Sequence, residues 1–272
     1  RKGFKMRTLI NEVKQKQFIY YGMFYSVMVM FSVFSYMNLE IPGIAKAFVF
    51  VFGFTFLFAA NVGFTATKKQ LLLIGISCVI IGGIFLKNQS IHMLRYVGLG
   101  FAAIVGAKNI DIKKIIKLDF YVRAASFVSV IILCAINLVP DVYRVRIGES
   151  FLRRSFGFTH PNTCMLMLFC ILAAYLYTRF DDIKFWELIP VTFITGVFYY
   201  YTRSKTAAIT IAFMIFLFFL VKYLKIFKFK AFKYILISFV PLLAGISFYL
   251  PLSYKYPTDF IIWVDKMLTG RV

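Results

Sequence analysis

Long apolar runs alternate with short, cation-rich polar segments along the whole chain. A helix needs about 20 apolar residues to cross a bilayer, with a range of about 17–25. Nine runs approach or reach that length: 18–37, 44–64, 71–86, 91–107, 124–139, 162–177, 185–201, 207–221 and 234–250. A strand of a membrane barrel would alternate apolar and polar residues at period two. Stretches such as 130–134 and 211–220 are apolar at every position, so helices are predicted. The expected fold is all-α: one polytopic bundle of nine transmembrane helices filling residues 1–272.

Composition narrows the function classes. The 272 residues are 61% hydrophobic and 16% charged, with a mean hydropathy of +0.81. Soluble domains are about 45–50% apolar and about 25% charged. A soluble enzyme, a disulfide-rich secreted module and a nucleic-acid-binding domain are excluded. Cys78, Cys134, Cys164 and Cys170 all lie in apolar runs, without the spacing of a zinc site. They read as small packing residues. The first apolar run is too long for a cleavable signal peptide. Arg1 at one end and the polar residues 269–271 at the other predict a chain cut from a longer one at both termini.

Charge sets the orientation. The formal net charge is +21, from 32 Lys+Arg against 11 Asp+Glu. With the N-terminus in the cytoplasm, the inner segments hold most of these cations, as lipid-facing topology requires. The inner cations are mainly Lys, and the outer ones mainly Arg. Lys is a hydrated point charge, whereas Arg offers a planar fork that grips phosphate oxygens bidentately. Residues 111–120 (DIKKIIKLDF) put three Ile on one face and read as a short interfacial helix. The lysine-rich segment 222–233 reads as a lipid anchor.

The outer loop 140–161, continuing to Asn162, carries the chemistry. It holds Arg144, Arg146, Arg153, Arg154 and His160. Pro161 suits the first turn of a helix, placing Thr159 or His160 at its cap. The positive end of the helix dipole disfavours imidazolium there, leaving a neutral ring able to accept a proton. Singly, each residue has a plainer role: cap, snorkelling cation or solvated charge. A second cluster, Thr202-Arg203-Ser204-Lys205-Thr206, lies between the seventh and eighth runs, and a third covers Lys266–Arg271 in the outer segment 251–272. His92, beside Arg95, reads as interfacial packing.

The stretch Arg153-Arg154-Ser155-Phe156-Gly157-Phe158-Thr159-His160-Pro161-Asn162 resembles the R-x-S-x-G-F-x-H-P-N element of Wzy-type polysaccharide polymerases, in the O-antigen polymerase/ligase superfamily. Ala107-Lys108-Asn109-Ile110, Ser204-Lys205-Thr206 and Leu268-Thr269-Gly270-Arg271 resemble further elements of that family, in the family's order. The resemblance covers roughly residues 95–272. It implies a GT-C-like membrane glycosyltransferase of the bacterial cytoplasmic membrane. Such an enzyme moves a growing glycan from undecaprenyl pyrophosphate onto the next lipid-linked repeat unit, for capsule, exopolysaccharide or O-antigen. It implies no metal and no cofactor. Its partners would be the lipid-linked oligosaccharide, membrane lipids, and flippase and chain-length regulator proteins, with no nucleic acid. The resemblance and the charge pattern together make His160 the candidate catalytic base, and Arg153, Arg154, Arg203, Lys205, Arg146 and Arg271 the candidate pyrophosphate ligands. Lys205 stands where the family has arginine. Related ligases place a catalytic histidine in an outer loop beyond the last run seen here, which leaves a base outside this chain as the alternative. Arg146 and Gly157 meet the superfamily's R-x10-G spacing. A sibling ligase and a flippase or transporter are the competing functions. Spans with almost no charge at their centres speak against transport.

Overall fold

The computed structural model describes residues 2–61, 107, 110–145 and 151–228, together with single helical residues at 72, 76, 79, 83, 234, 237, 238, 241 and 242. Runs 71–86, 91–107 and 234–250 lie largely outside the described residues.

The other six runs are helical. The elements are α1 (Lys2–Phe34), α2 (Gly43–Asn61), α3 (Ile112–Ala135), β1 (Tyr143–Val145), β2 (Leu152–Arg154), α4 (Pro161–Thr178), α5 (Leu188–Thr202) and α6 (Lys205–Lys222). A 3-10 turn, Phe185–Glu187, leads into α5. Four described helices are long and apolar enough to cross a membrane: Gln15–Phe34, Ile112–Ala135, Pro161–Thr178 and Lys205–Lys222. The protein is a helical membrane protein. Helix α5 has 15 residues, about 22 Å of rise, so it is shorter than a hydrocarbon core of about 30 Å.

Two expectations change. Residues 111–120 are not a separate interfacial helix but the start of α3. Asp111 caps it, its side chain accepting the Lys113 N–H at 2.9 Å. No glycine or proline follows to break the helix before Ala135. Ile115, Asp119, Ser126, Phe127, Val130 and Cys134 form one buried face, at the three- and four-residue spacing of a packed helix. The second change concerns charge within the bundle. Asp119 is buried at 7% exposure. Arg123, one turn on, donates to it through Nε at 3.1 Å and Nη2 at 2.6 Å, and the Tyr25 hydroxyl of α1 donates at 3.1 Å. A charge survives in apolar surroundings only when so satisfied. The absence of charge within the spans therefore no longer speaks against transport.

The contacts divide the chain into two units, 1–214 and 215–272, the division falling within α6. In the first, Tyr21, Phe24, Leu57 and Ile115 form a buried cluster between α1, α2 and α3. At one end of this unit, Lys113 Nζ meets Asp181 at 2.7 Å, joining the start of α3 to the turn after α4. Beside it, Glu187 accepts hydrogen bonds from the Tyr175 hydroxyl at 2.9 Å, from Arg179 at 3.1 Å and from the Lys184 N–H at 3.0 Å. These bonds hold its carboxylate below the usual range, the Lys184 N–H contributing most. In the second unit, the end of α6 is followed by a 3-10 turn, Ile226–Lys228. The rings of Phe219 and Tyr223 lie 5.5 Å apart.

Candidate functional site

The described segments with candidate site residues meet at the opposite end of the first unit. Helix α3 ends through Asn137 in the left-handed region, φ 60°. The chain then forms a two-stranded antiparallel hairpin, with Tyr143 opposite Arg154, Arg144 opposite Arg153 and Val145 opposite Leu152. Successive residues of a strand face opposite sides. Arg153 accordingly turns inward and Leu152 outward, at 9% and 56% exposure.

A tight turn follows. Phe156 and Gly157 both have positive φ, 54° and 83°. A Cβ on Gly157 would stand 2.8 Å from the Cys134 Cβ and 3.3 Å from the Val130 carbonyl oxygen, so only glycine fits without displacing α3. The turn docks on the end of α1. Asn38 N–H donates to the Gly157 carbonyl at 2.8 Å, and Thr159 N–H to the Tyr36 carbonyl at 2.9 Å. Phe158 is fully buried and stacks on Phe127 at 5.4 Å.

His160 is the N-cap of α4, with Pro161 in its first turn. Its Nδ1 accepts the Asn162 N–H at 3.0 Å. That bond uses the lone pair a base would need at Nδ1, and a neutral ring so held carries its proton on Nε2. His160 can take a proton at Nδ1 only after the cap bond breaks.

Each arginine has a different environment. Arg153 Nε donates to the Thr202 carbonyl, at the end of α5, at 2.8 Å. Its Nη2 donates to Asn162 Oδ1 at 2.7 Å. This one guanidinium ties the hairpin to the start of α4 and the end of α5. Arg154 is paired with Asp141, and its Cζ lies 4.9 Å from the Phe156 ring centroid. Donating this hydrogen bond to Asp141 raises the Arg154 pKa above its ordinary value. Asp141 also accepts from the Ser155 hydroxyl at 3.1 Å and the Ser155 N–H at 3.2 Å.

Arg203 differs from both. It closes α5 in the left-handed region, φ 48° and ψ 33°. For a residue with a Cβ this costs about 1–2 kcal/mol, a cost that glycine at the same place avoids. Its Cζ lies 4.4 Å from the Phe151 ring centroid and 5.1 Å from that of Tyr200. Among the described residues it has no carboxylate partner, and its buried Nε has no hydrogen-bond partner. Thr202 beside it is fully buried, with Oγ1 likewise without one. Ser204 is buried at 3% exposure, and Lys205, exposed, opens α6.

The structure thus brings together Arg153, Arg154, His160 and Arg203, with Lys205 two positions beyond Arg203. Arg146, Arg271 and His92 lie outside the described residues, while Arg144 is exposed on β1. The sequence reading missed Asp141, Asn162 and the ring pair Phe151 and Tyr200. Asp141 had a signal, being an acid in a loop otherwise rich in arginine. The ring pair had none, because Phe151 and Tyr200 are far apart in sequence. No family model, curated protein or solved structure matches this chain.

Proposed function

We propose that this chain is a Wzy-type polymerase that extends a lipid-linked glycan on the outer face of the bacterial cytoplasmic membrane. In this reading the bundle is GT-C-like, with nine spans and the N-terminus inside. The growing glycan leaves undecaprenyl pyrophosphate as a hydroxyl of the next lipid-linked repeat unit attacks its anomeric carbon. The glycosidic bond forms as the bond to the pyrophosphate oxygen breaks, and the hydroxyl proton passes to a base. The observation that supports this most is the pair of hydrogen bonds from Arg153, which join the H-P-N stretch, the arginine-bearing strand and the Thr202–Thr206 corner at one end of the unit.

The chemistry explains why cations gather there. Negative charge builds on a phosphate oxygen as the bond breaks, and preorganised donors stabilise it. One guanidinium about 4 Å from that oxygen, at an effective dielectric near 20, contributes about 4 kcal/mol before desolvation. No metal or cofactor enters the reaction as proposed. Arg153, Arg154, Arg203, Lys205, Arg146 and Arg271 are the candidate cations, and His160 is the candidate base within this chain, once its cap bond opens. A base contributed from outside the chain is the alternative.

Two other functions are tested with the same experiment, deletion of the gene followed by analysis of glycans on the carrier lipid. A polymerase leaves single repeat units on the carrier. A ligase leaves finished polymer on it. The transporter reading draws on the buried Asp119–Arg123 pair, and predicts that repeat units are retained on the cytoplasmic side. Unchanged surface polymer after deletion would defeat all three.

A further inference from the structure

We infer that Arg203 is the residue that grips the phosphate group, and that Arg153 and Arg154 hold the site in shape without touching the ligand. This deepens the polymerase reading and rests on it for the identity of the natural ligand. The assignment of the cation rests on geometry alone.

The described arginine side chains divide by what satisfies them. Arg123, Arg154 and Arg179 are paired with Asp119, Asp141 and Glu187. Arg153 is buried and spends Nε and Nη2 on two neutral oxygens that join three elements. To bind a ligand through those groups, it would have to give up the bonds that tie the hairpin to α4 and α5. Arg144 is exposed on β1. Arg203 alone among these combines an aromatic clamp with a buried, unsatisfied N–H. Phe151 and Tyr200 hold the guanidinium in place by cation–π attraction, but neither ring supplies the oxygen acceptors that its N–H groups need. A phosphate supplies them, in the bidentate geometry that arginine matches best.

The surroundings fit an anion. Arg203 immediately precedes Ser204 and the start of α6, where the first-turn N–H groups and the positive end of the helix dipole favour an anion. Thr202 contributes a buried hydroxyl with no partner of its own. The backbone argues the same way. A left-handed helix end is the place for glycine, and arginine there carries strain that its ring contacts must offset.

That strain supplies a clean variant. Arg203→Gly removes the guanidinium while leaving a backbone that accepts the left-handed turn more easily. The test uses the full chain, purified in detergent, with inorganic pyrophosphate as the probe, read by titration calorimetry and by the shift in thermal midpoint. Arg203→Gly, in which relief of the left-handed strain offsets the lost ring contacts, is expected to unfold at about the same temperature without ligand, and to bind pyrophosphate at least tenfold more weakly. Arg203→Lys, which keeps the charge but loses the fork, is expected to bind several-fold more weakly. Arg144→Ala controls for the general positive charge of the chain and is expected to bind as the original does.

A second arm places the protein in phosphatidylcholine nanodiscs with or without phosphatidic acid. Competition between phosphatidic acid and pyrophosphate assigns the site to lipid phosphate. Pyrophosphate binding without competition assigns it to free phosphate. Either result supports the inference when it depends on Arg203. Equal affinity in the original and Arg203→Gly, or no binding of either probe, overturns it. Lost binding with unchanged glycan length in cells would leave the anion site standing and defeat the polymerase reading. Shortened glycan with unchanged binding would do the reverse.

Discussion

Gly157 is the residue whose replacement has the most directly calculable cost. A methyl group there meets Cys134 at 2.8 Å with φ at 83°. Left-handed strain of about 1–2 kcal/mol adds to overpacking of about 1–3 kcal/mol. Gly157→Ala is therefore expected to lower stability by about 2–5 kcal/mol, measured as denaturant or thermal unfolding in detergent. His160 gives a finer test. Asparagine caps helices as well as any residue but cannot act as a base. Because asparagine can keep the cap bond that Nδ1 makes but takes up no proton, His160→Asn is expected to retain the fold and to lose glycan polymerisation, assayed as chain length on gels. Long polymer from the folded variant would place the base outside this chain. Glu187 gives the pH dependence. Its carboxylate is held below the ordinary range, so its stabilising effect is full above that range and is lost as pH falls through the lowered value. Tyr175→Phe, which removes one of the bonds holding the carboxylate, is expected to flatten the acid side of the stability profile.

Among the elements, α3 departs most from its sequence reading. The apolar pattern located its second half, whereas the lysine-rich start read as a separate surface helix. Periodicity alone cannot distinguish a helix lying in the interface from the first turns of a span, because both put Ile112, Ile115 and Ile116 on one side. Asp119 decides it: it lies buried, matched by Arg123 one turn on and by Tyr25 of α1. Removing one member of such a pair leaves a buried charge unmatched, at about 3–5 kcal/mol. Asp119→Ala is expected to lose about that much, and Asp119→Leu combined with Arg123→Met to recover most of it, by thermal unfolding in detergent. The hairpin was not legible at all. Its strands have three residues each, too few for a period-two pattern, and it is tied down by Asp141 with Arg154 and Ser155 and by Arg153 with the Thr202 carbonyl, pairings that no local pattern announces. The start of α4, by contrast, was legible from Pro161 and His160, since capping is a local matter.

At the scale of the molecule, the described segments among those that the charge pattern placed on one side of the membrane share one end of the first unit. Tyr36 and Asn38, the hairpin, His160 and the Thr202 carbonyl are joined there by hydrogen bonds. Hydropathy made the helices legible, because apolar length is a property of each segment alone. Which arginine faces a ligand was not legible, because that depends on where each carboxylate and ring lies in space. Six candidate cations were equivalent as letters. In three dimensions Arg154 is neutralised, Arg153 is built into the frame, and Arg203 retains an unsatisfied buried N–H beside two aromatic rings. The proposed function requires this corner to bind the leaving phosphate of a growing lipid-linked glycan. Its most direct test is the length of surface glycan in cells whose only copy of the protein carries Arg203→Gly. The account predicts collapse to single repeat units on the carrier lipid, with the protein folded and present at its normal level. Long polymer at the original length and abundance would contradict it.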